Sequence, residues 1–283
     1  MKIVVTGGSG LAGFAVVRHI LECGHEVVSL DRVPLPEPIT EYRFVDCGDL
    51  GQVYGACDGA DAIVHLAAIP RPVNHTPDQV FCTNIMATFN VLEVAAALGI
   101  ARVVYISSVS VLGLPFSYGP VTLEYFPINE EHPRAPQDAY ALSKTLGEDI
   151  AVAFVRRASG NLSVVSLRLP WIHTPETFKS TLTPFWQDPA GGASNLWSYI
   201  DTRDVGRACM LSVDAEITGH EEIFVSANNT FMKQDTSKLI SEYYPQAKVN
   251  LEFEGNQAVI DTTKAKTIIG YEANYSWENY QWN

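Results

Sequence analysis

The sequence predicts an α/β fold: a Rossmann-type, doubly wound parallel sheet with a smaller, partly irregular C-terminal lobe. Three observations predict it. Short β-branched runs alternate with longer stretches of helical periodicity. The runs are almost continuously apolar, as strands are when a parallel sheet is covered on both faces. The first run also leads straight into a glycine-rich turn, Gly7-Gly8-Ser9-Gly10.

Taken in order, residues 2–6 read as a strand, 11–23 as a helix and 26–31 as a second strand closing on Asp31. Residues 42–45, 62–66, 102–107 and 163–167 follow as strands. Between them, 77–98 and 137–158 have the length and apolar spacing of helices. After Leu169 the character changes. Pro170, Pro175, Pro184 and Pro189, with Gly191-Gly192, break up the chain as far as Asn195. Residues 199–214 return to a strand-then-helix pattern, 222–225 read as a strand, and 237–244 and 262–269 as short helices.

A chain of 283 residues can bury one large core, or one core with a smaller lobe attached. Nineteen basic against 32 acidic residues give a net charge of −13, which argues against nucleic acid or an anionic membrane surface as partner. A small-molecule substrate is expected, and an anionic one if arginines such as Arg71 or Arg203 converge on it. No charge-free run of 18 apolar residues is present, and the first residues do not read as a signal peptide. The five cysteines are scattered without a C-x-x-C pair, which fits a reduced, cytoplasmic setting and gives no disulfide or metal framework.

Gly7, Gly10 and Gly13 are spaced G-x-x-G-x-x-G between the first strand and the first helix. Glycine permits the tight turn, the approach of backbone N–H groups to a pyrophosphate, and close helix–strand packing. Asp31, 21 residues beyond Gly10, is placed to accept from an adenosine ribose hydroxyl. This order predicts dinucleotide binding by residues 1–169 and 199–214. Residues 170–198 and 215–283 are left as the substrate-binding lobe. A carboxylate at Asp31 would repel a 2′-phosphate, favouring NAD; Arg32 beside it keeps NADP open.

Tyr140 and Lys144 lie one helical turn apart on a predicted helix. At that spacing the side chains share a face, roughly 5–6 Å apart at Cβ, and an ammonium group is expected to pull the phenol pKa down from ~10. The spacing alone proves little, because Tyr244 and Lys248 repeat it. There Pro245 interrupts any helix carrying both, so that pair is read as chance.

With these residues in place the chain resembles the extended short-chain dehydrogenase/reductase family, in its NAD-dependent epimerase/dehydratase branch. The matching stretches run from Thr6 to about Ala208. They include the Gly7/Gly10/Gly13 loop with Leu11, then Asp31, Asp49-Leu50, and His65-Leu66-Ala67-Ala68 beside the cofactor. Asn84 matches the central-helix asparagine, and Ser107-Ser108-Val109-Ser110-Val111-Leu112-Gly113 the strand end with the catalytic serine. Tyr140 and Lys144, Leu167-Arg168 and Tyr199-Ile200-Asp201-Thr202-Arg203-Asp204-Val205 complete the match. The resemblance implies Ser108, Tyr140 and Lys144 as catalytic residues, with Tyr140 and Lys144 also holding cofactor, and a homodimer paired through the helices 77–98 and 137–158.

Departures from the family pattern narrow the activity. Val109 and Ser110 stand where dehydratases carry an acidic pair, which argues against a 4,6-dehydratase. Trp171-Ile172-His173-Thr174-Pro175 replaces the family's Asn-x-Tyr-Gly-Pro, which weakens a nucleotide-sugar substrate. Oxidation or reduction of a sugar or similar polyol stands beside epimerisation as the expected chemistry. The alternative is a dinucleotide-binding sensor or scaffold without catalysis, but such relatives usually lose the tyrosine or the lysine. His75 and His173 read as structural or surface residues rather than pocket residues, and the aromatic residues Phe116, Tyr118, Tyr125 and Phe126 in the 114–136 insertion read either as lining of a substrate pocket or as anchors that pin the loop to the core.

Overall fold

The computed structural model describes residues 1–280. In chain order the first half runs β1 (Lys2–Thr6), α1 (Leu11–Glu22), β2 (Glu26–Asp31), β3 (Glu41–Phe44), α2 (Leu50–Cys57), β4 (Ala62–His65), α3 (Pro77–Leu98) and β5 (Arg102–Ser108). The second half runs β6 (Tyr125–Phe126), α4 (Ala139–Arg157), β7 (Ser163–Leu169), β8 (Trp171–His173), α5 (Pro175–Thr181), α6 (Pro189–Ala193), β9 (Tyr199–Asp201), α7 (Thr202–Asp214), β10 (His220–Phe224), α8 (Thr236–Tyr243), β11 (Lys248–Val249) and α9 (Thr263–Ile269).

Seven strands form one parallel sheet in the order β10-β7-β5-β4-β1-β2-β3. Chain order reverses between β1 and β4, the switch point at whose carboxyl ends open α/β sheets bind ligands. The buried β-branched residues of β1, β4, β5 and β7 feed two cores. One, with Val5, Val64 and Val165, packs against α1 and α7; the other, with Val4, Ile63 and Val164, packs against α3 and α4. α3 is long and apolar enough by composition to cross a membrane, but half of it is buried within the fold. It begins in a capping box of Thr76 and Gln79 and stops at Gly99 in the left-handed region (φ 70°).

The expected lobe differs in two places. β10, assigned from sequence to 215–283, is an edge strand of the main sheet, in register with β7 from His220↔Val164 to Phe224↔Arg168. β9, expected to return to the main domain with α7, pairs instead with β8 in a separate two-stranded sheet, while α7 packs on the main core. The stretch after Leu169 is also less broken than its prolines suggest. Pro175 and Pro189 are the first residues of α5 and α6, where a missing N–H costs nothing. Two further apolar clusters hold the lobe together, one around Phe126, Ile128 and Val259, the other around Phe178, Trp197 and Trp277.

Candidate active site

A cavity of about 930 Å³ opens at the carboxyl ends of the strands. Its walls bring together Gly7, Gly10, Leu11, Gly13, Asp31, Arg32, Leu66, Ala67, Ala68, Ser108, Tyr140 and Lys144. Three of the expected site residues stand elsewhere. Asp49 caps α2 by accepting from the Gln52 N–H at 3.0 Å, and Leu50 begins that helix, 43% exposed. A contact from this pair to the cavity is therefore corrected to Asp46, Cys47 and Gly48, which line it. Asn84 is buried behind the wall. Its amide clamps the backbone of Ile69 (2.7 Å to N, 3.1 Å to O) and donates to Ser143 Oγ at 3.1 Å.

The glycine loop is shaped by contact, not by composition alone. Gly7 has φ 72°, and a Cβ there would stand 2.7 Å from the Ala67 nitrogen. A Cβ at Gly13 would strike the Gly7 carbonyl oxygen. At Gly10 the nearest atom would be 3.4 Å away, so this side faces open space at the start of α1. The first N–H groups of that helix have no partner in their own turn and attract an anion. Asp31 is held rigidly next to them, accepting from Ser9 N–H (3.0 Å), Arg32 N–H (2.7 Å) and Val33 N–H (3.3 Å). An anion cradle followed by a fixed carboxylate suits a pyrophosphate and a ribose hydroxyl.

Thr6 and His65 join β1 to β4 beneath the loop. Their Oγ1 and Nδ1 lie 2.7 Å apart, and Thr6 Oγ1 also accepts from Ala67 N–H at 3.2 Å. Burial, with the Lys144 charge adding to it, pushes the His65 pKa down to about 3. An unfolded histidine titrates near ~6.5, so the unfolded chain binds more protons between those values. The stability His65 gives by staying neutral is whole above ~6.5 and is lost as pH falls toward 3. Urea denaturation between pH 7 and pH 4 should show a loss of up to ~1.4 kcal/mol per pH unit from this group, and His65→Gln should flatten that slope.

Asp138 starts α4 by accepting from the N–H groups of Tyr140 (2.8 Å) and Ala141 (3.0 Å). One turn on, Lys144 is buried and donates to the Ile106 carbonyl at 2.6 Å, with its Nζ 5.7 Å from the Tyr140 ring centre. The expected fall in the Tyr140 pKa is corrected. Burial pushes the phenol up to about 12, although the neighbouring Ser108 hydroxyl draws it down. Burial also lowers Lys144 to about 7, against the attraction of Glu148, so the lysine lends less positive charge than its spacing promises. Ser108 Oγ accepts from Ser110 N–H at 3.1 Å, which leaves its own proton to donate.

Glu148, one turn beyond Lys144, is fully buried and was not singled out from sequence. It accepts from Ser107 Oγ (2.7 Å), from Arg168 through both Nε (2.9 Å) and Nη2 (2.8 Å), and from Arg134 (3.4 Å). Its place at i+4 from Lys144 was the available signal. The insertion divides in two. Phe116 lines the cavity with its ring edge-on to Tyr140 (6.4 Å), whereas Phe126 is buried in the lobe and Tyr118 lies in solvent. Arg71 lines the cavity, but Arg203 is bound to Asp201 by two hydrogen bonds from its guanidinium (2.8 and 2.7 Å). His75 is exposed. His173 is buried beside Trp171 and is not among the cavity-lining residues. Tyr244 follows the end of α8 and Lys248 lies in β11, so no helix joins the second pair.

Comparison with known proteins places the chain in a family. The chain is 36% identical over 135 residues to the 3-beta-hydroxysteroid dehydrogenase of Mycolicibacterium neoaurum, covering 44% of this chain and 37% of that protein. It is 28% identical over 172 residues to the uronate dehydrogenase of Pseudomonas putida, covering 59% and 60%. The matches therefore span less than two thirds of the length of either curated relative. The UDP-glucose 4-epimerase of Thermotoga maritima, solved with UDP-glucose, superposes with a TM-score of 0.74 over 98% of this chain and 95% of its own, at 20% identity, a likeness of fold. A family model matches residues 3–227, and the chain belongs to the NAD dependent epimerase/dehydratase family.

Proposed function

We propose that this chain is an NAD-dependent oxidoreductase or epimerase acting on a hydroxyl or carbonyl of a sugar or similar small polyol. Tyr140 serves as proton acceptor and donor, with Ser108 and Lys144 beside it. One observation carries the reading: those three side chains share a cavity with the glycine loop and Asp31. Gly7, Gly10, Leu11, Gly13 and Asp31 would hold the pyrophosphate and ribose, with Leu66, Ala67 and Ala68 along the wall and Lys144 near the nicotinamide end. When bound, NAD supplies the redox partner for the reacting carbon. Ser108 donates to the substrate oxygen and fixes its position. Tyr140 then takes the hydroxyl proton during oxidation, or returns it during reduction. Lys144, tethered to Ile106, keeps two N–H donors free and in its charged form stabilises the phenolate. The similarity to a uronate dehydrogenase supports a sugar-type substrate, and Arg71 is available to a carboxylate.

Asp31 sets the cofactor. Its carboxylate, pinned by three N–H groups, opposes a 2′-phosphate, while the Arg32 side chain is turned to within 4.0 Å of Asp46. Asp31→Ser should raise the NADP/NAD ratio of kcat/KM by about 10- to 100-fold, consistent with losing ~1–3 kcal/mol of charge discrimination. An unchanged ratio in steady-state kinetics with both cofactors would remove Asp31 from this role.

A homodimer through α3 and α4 belongs to the same reading. Their outer faces leave Met86, Phe89, Leu142 and Val152 exposed (45, 39, 39 and 37%). Light scattering on the purified chain should give twice the chain mass, and Phe89→Glu should return it to the monomer. A free-thiol, cytoplasmic setting fits the five unpaired cysteines.

A further inference from the structure

Leu196 and Trp197 are consecutive, neither is glycine, and both adopt the left-handed region, with φ of 58° and 48°. Each such residue is strained and persists only where its surroundings over-determine it. Here they do. Both side chains are fully buried. The Trp197 indole N–H donates to the Pro189 carbonyl at 2.8 Å, and its ring packs 5.7 and 5.8 Å from Tyr243 and Tyr244. The Trp197 carbonyl accepts from Phe231 N–H at 2.8 Å. The turn stands directly after Ser194 and Asn195, which form part of the wall of the cavity that holds Tyr140 and Ser108. Among the described residues, the half-buried Asn195 amide has no hydrogen-bond partner.

We infer that Asn195 is the specificity-determining residue, reading a ring hydroxyl of a monosaccharide-sized substrate, and that the strained Leu196–Trp197 turn positions it. The inference rests on the function proposed above and names the group that selects within it. An uncharged amide both donates and accepts, which matches a hydroxyl in either sense. Trp171 and Phe116 give the same cavity the apolar surface against which the carbon face of a ring can lie.

The test compares kcat/KM of wild type, Asn195→Ala and Asn195→Ser for D-galactose, L-arabinose and D-galacturonate, each with its monodeoxy analogues. NAD affinity and thermal stability are measured alongside. A site built around a hydroxyl loses that contact once, whether the protein or the sugar gives it up. The expected result is a 10- to 100-fold loss on the turned-over sugar in Asn195→Ala. The loss should shrink below about threefold on the one analogue lacking the hydroxyl that Asn195 reads. NAD affinity should be unchanged, and Asn195→Ser serves if the alanine variant unfolds. Equal losses on every analogue, or none, overturn the role of Asn195 alone, provided wild type still turns over. If wild type binds NAD and turns over none of these sugars, this inference and the proposed substrate class both fall.

Discussion

Tyr140→Phe should lower kcat/KM by about 10²- to 10⁴-fold while leaving NAD affinity within a factor of two, as loss of a positioned proton donor and acceptor does. The change removes one oxygen from a ring that lines the cavity edge-on to Phe116 and leaves the packing in place. The Asp138 cap on α4 bonds the backbone of Tyr140, so the helix start is also untouched. Because burial pushes the phenol up to about 12, Tyr140 rests protonated at neutral pH and oxidation draws on its small phenolate fraction. The wild-type oxidation rate should therefore climb as pH rises above neutrality. The opposing effect is the discharge of Lys144 from about 7 upward. Lys144→Met should remove that opposition together with most of the rate. A Tyr140→Phe enzyme with unaltered turnover would take Tyr140 out of the chemistry.

Glu148→Ala should destabilise the fold by about 3–5 kcal/mol, the usual cost of stripping one partner from a buried ion pair. The Arg168 side chain is 3% exposed and holds Glu148 through two nitrogens, with its guanidinium 5.3 Å from the Phe224 ring. Without the carboxylate that charge is left in the core where β7 meets β10. Ser107 loses its acceptor at the same time. Glu148 is also the group that raises the Lys144 pKa, so its removal should drive Lys144 further toward the neutral form at pH 7. Urea titration measures the first effect. The double variant Glu148→Ala/Arg168→Met should recover part of the loss, because no buried charge then remains unpaired. A single-variant cost below 1 kcal/mol would mean that the pair is solvated after all.

Much of this site was legible because its signals are local. The loop, the acid at the end of β2 and the Tyr140/Lys144 spacing are set by a few adjacent residues, and the structure gathers them into one cavity. Helix α3 could be read to the residue because its start and stop are both chemical events, a capping box and a left-handed glycine. What escaped depends on contacts distant in sequence. The allocation of β9 and β10 between sheets depends on neighbours found only after folding. α2 was hidden by Gly51 and Gly55, poor helix formers that its Asp49 cap and buried face outweigh. The phenol pKa was misjudged because spacing reports a neighbouring charge but not burial, and burial is the larger effect at both Tyr140 and Lys144. Asn195 gave no signal, since the turn that follows it is held by Trp197 and residues tens of positions away.

The most direct test mixes the purified chain with NAD and the aldoses and hexuronates above, and follows the absorbance of reduced nicotinamide. Reduction is expected with at least one of them, as free NADH if the enzyme is a dehydrogenase or as a bound, non-accumulating fraction if it is an epimerase. Neither signal should appear in Tyr140→Phe at more than about a hundredth of the wild-type rate. An enzyme that binds NAD tightly and reduces none of it with any of these sugars would contradict the account.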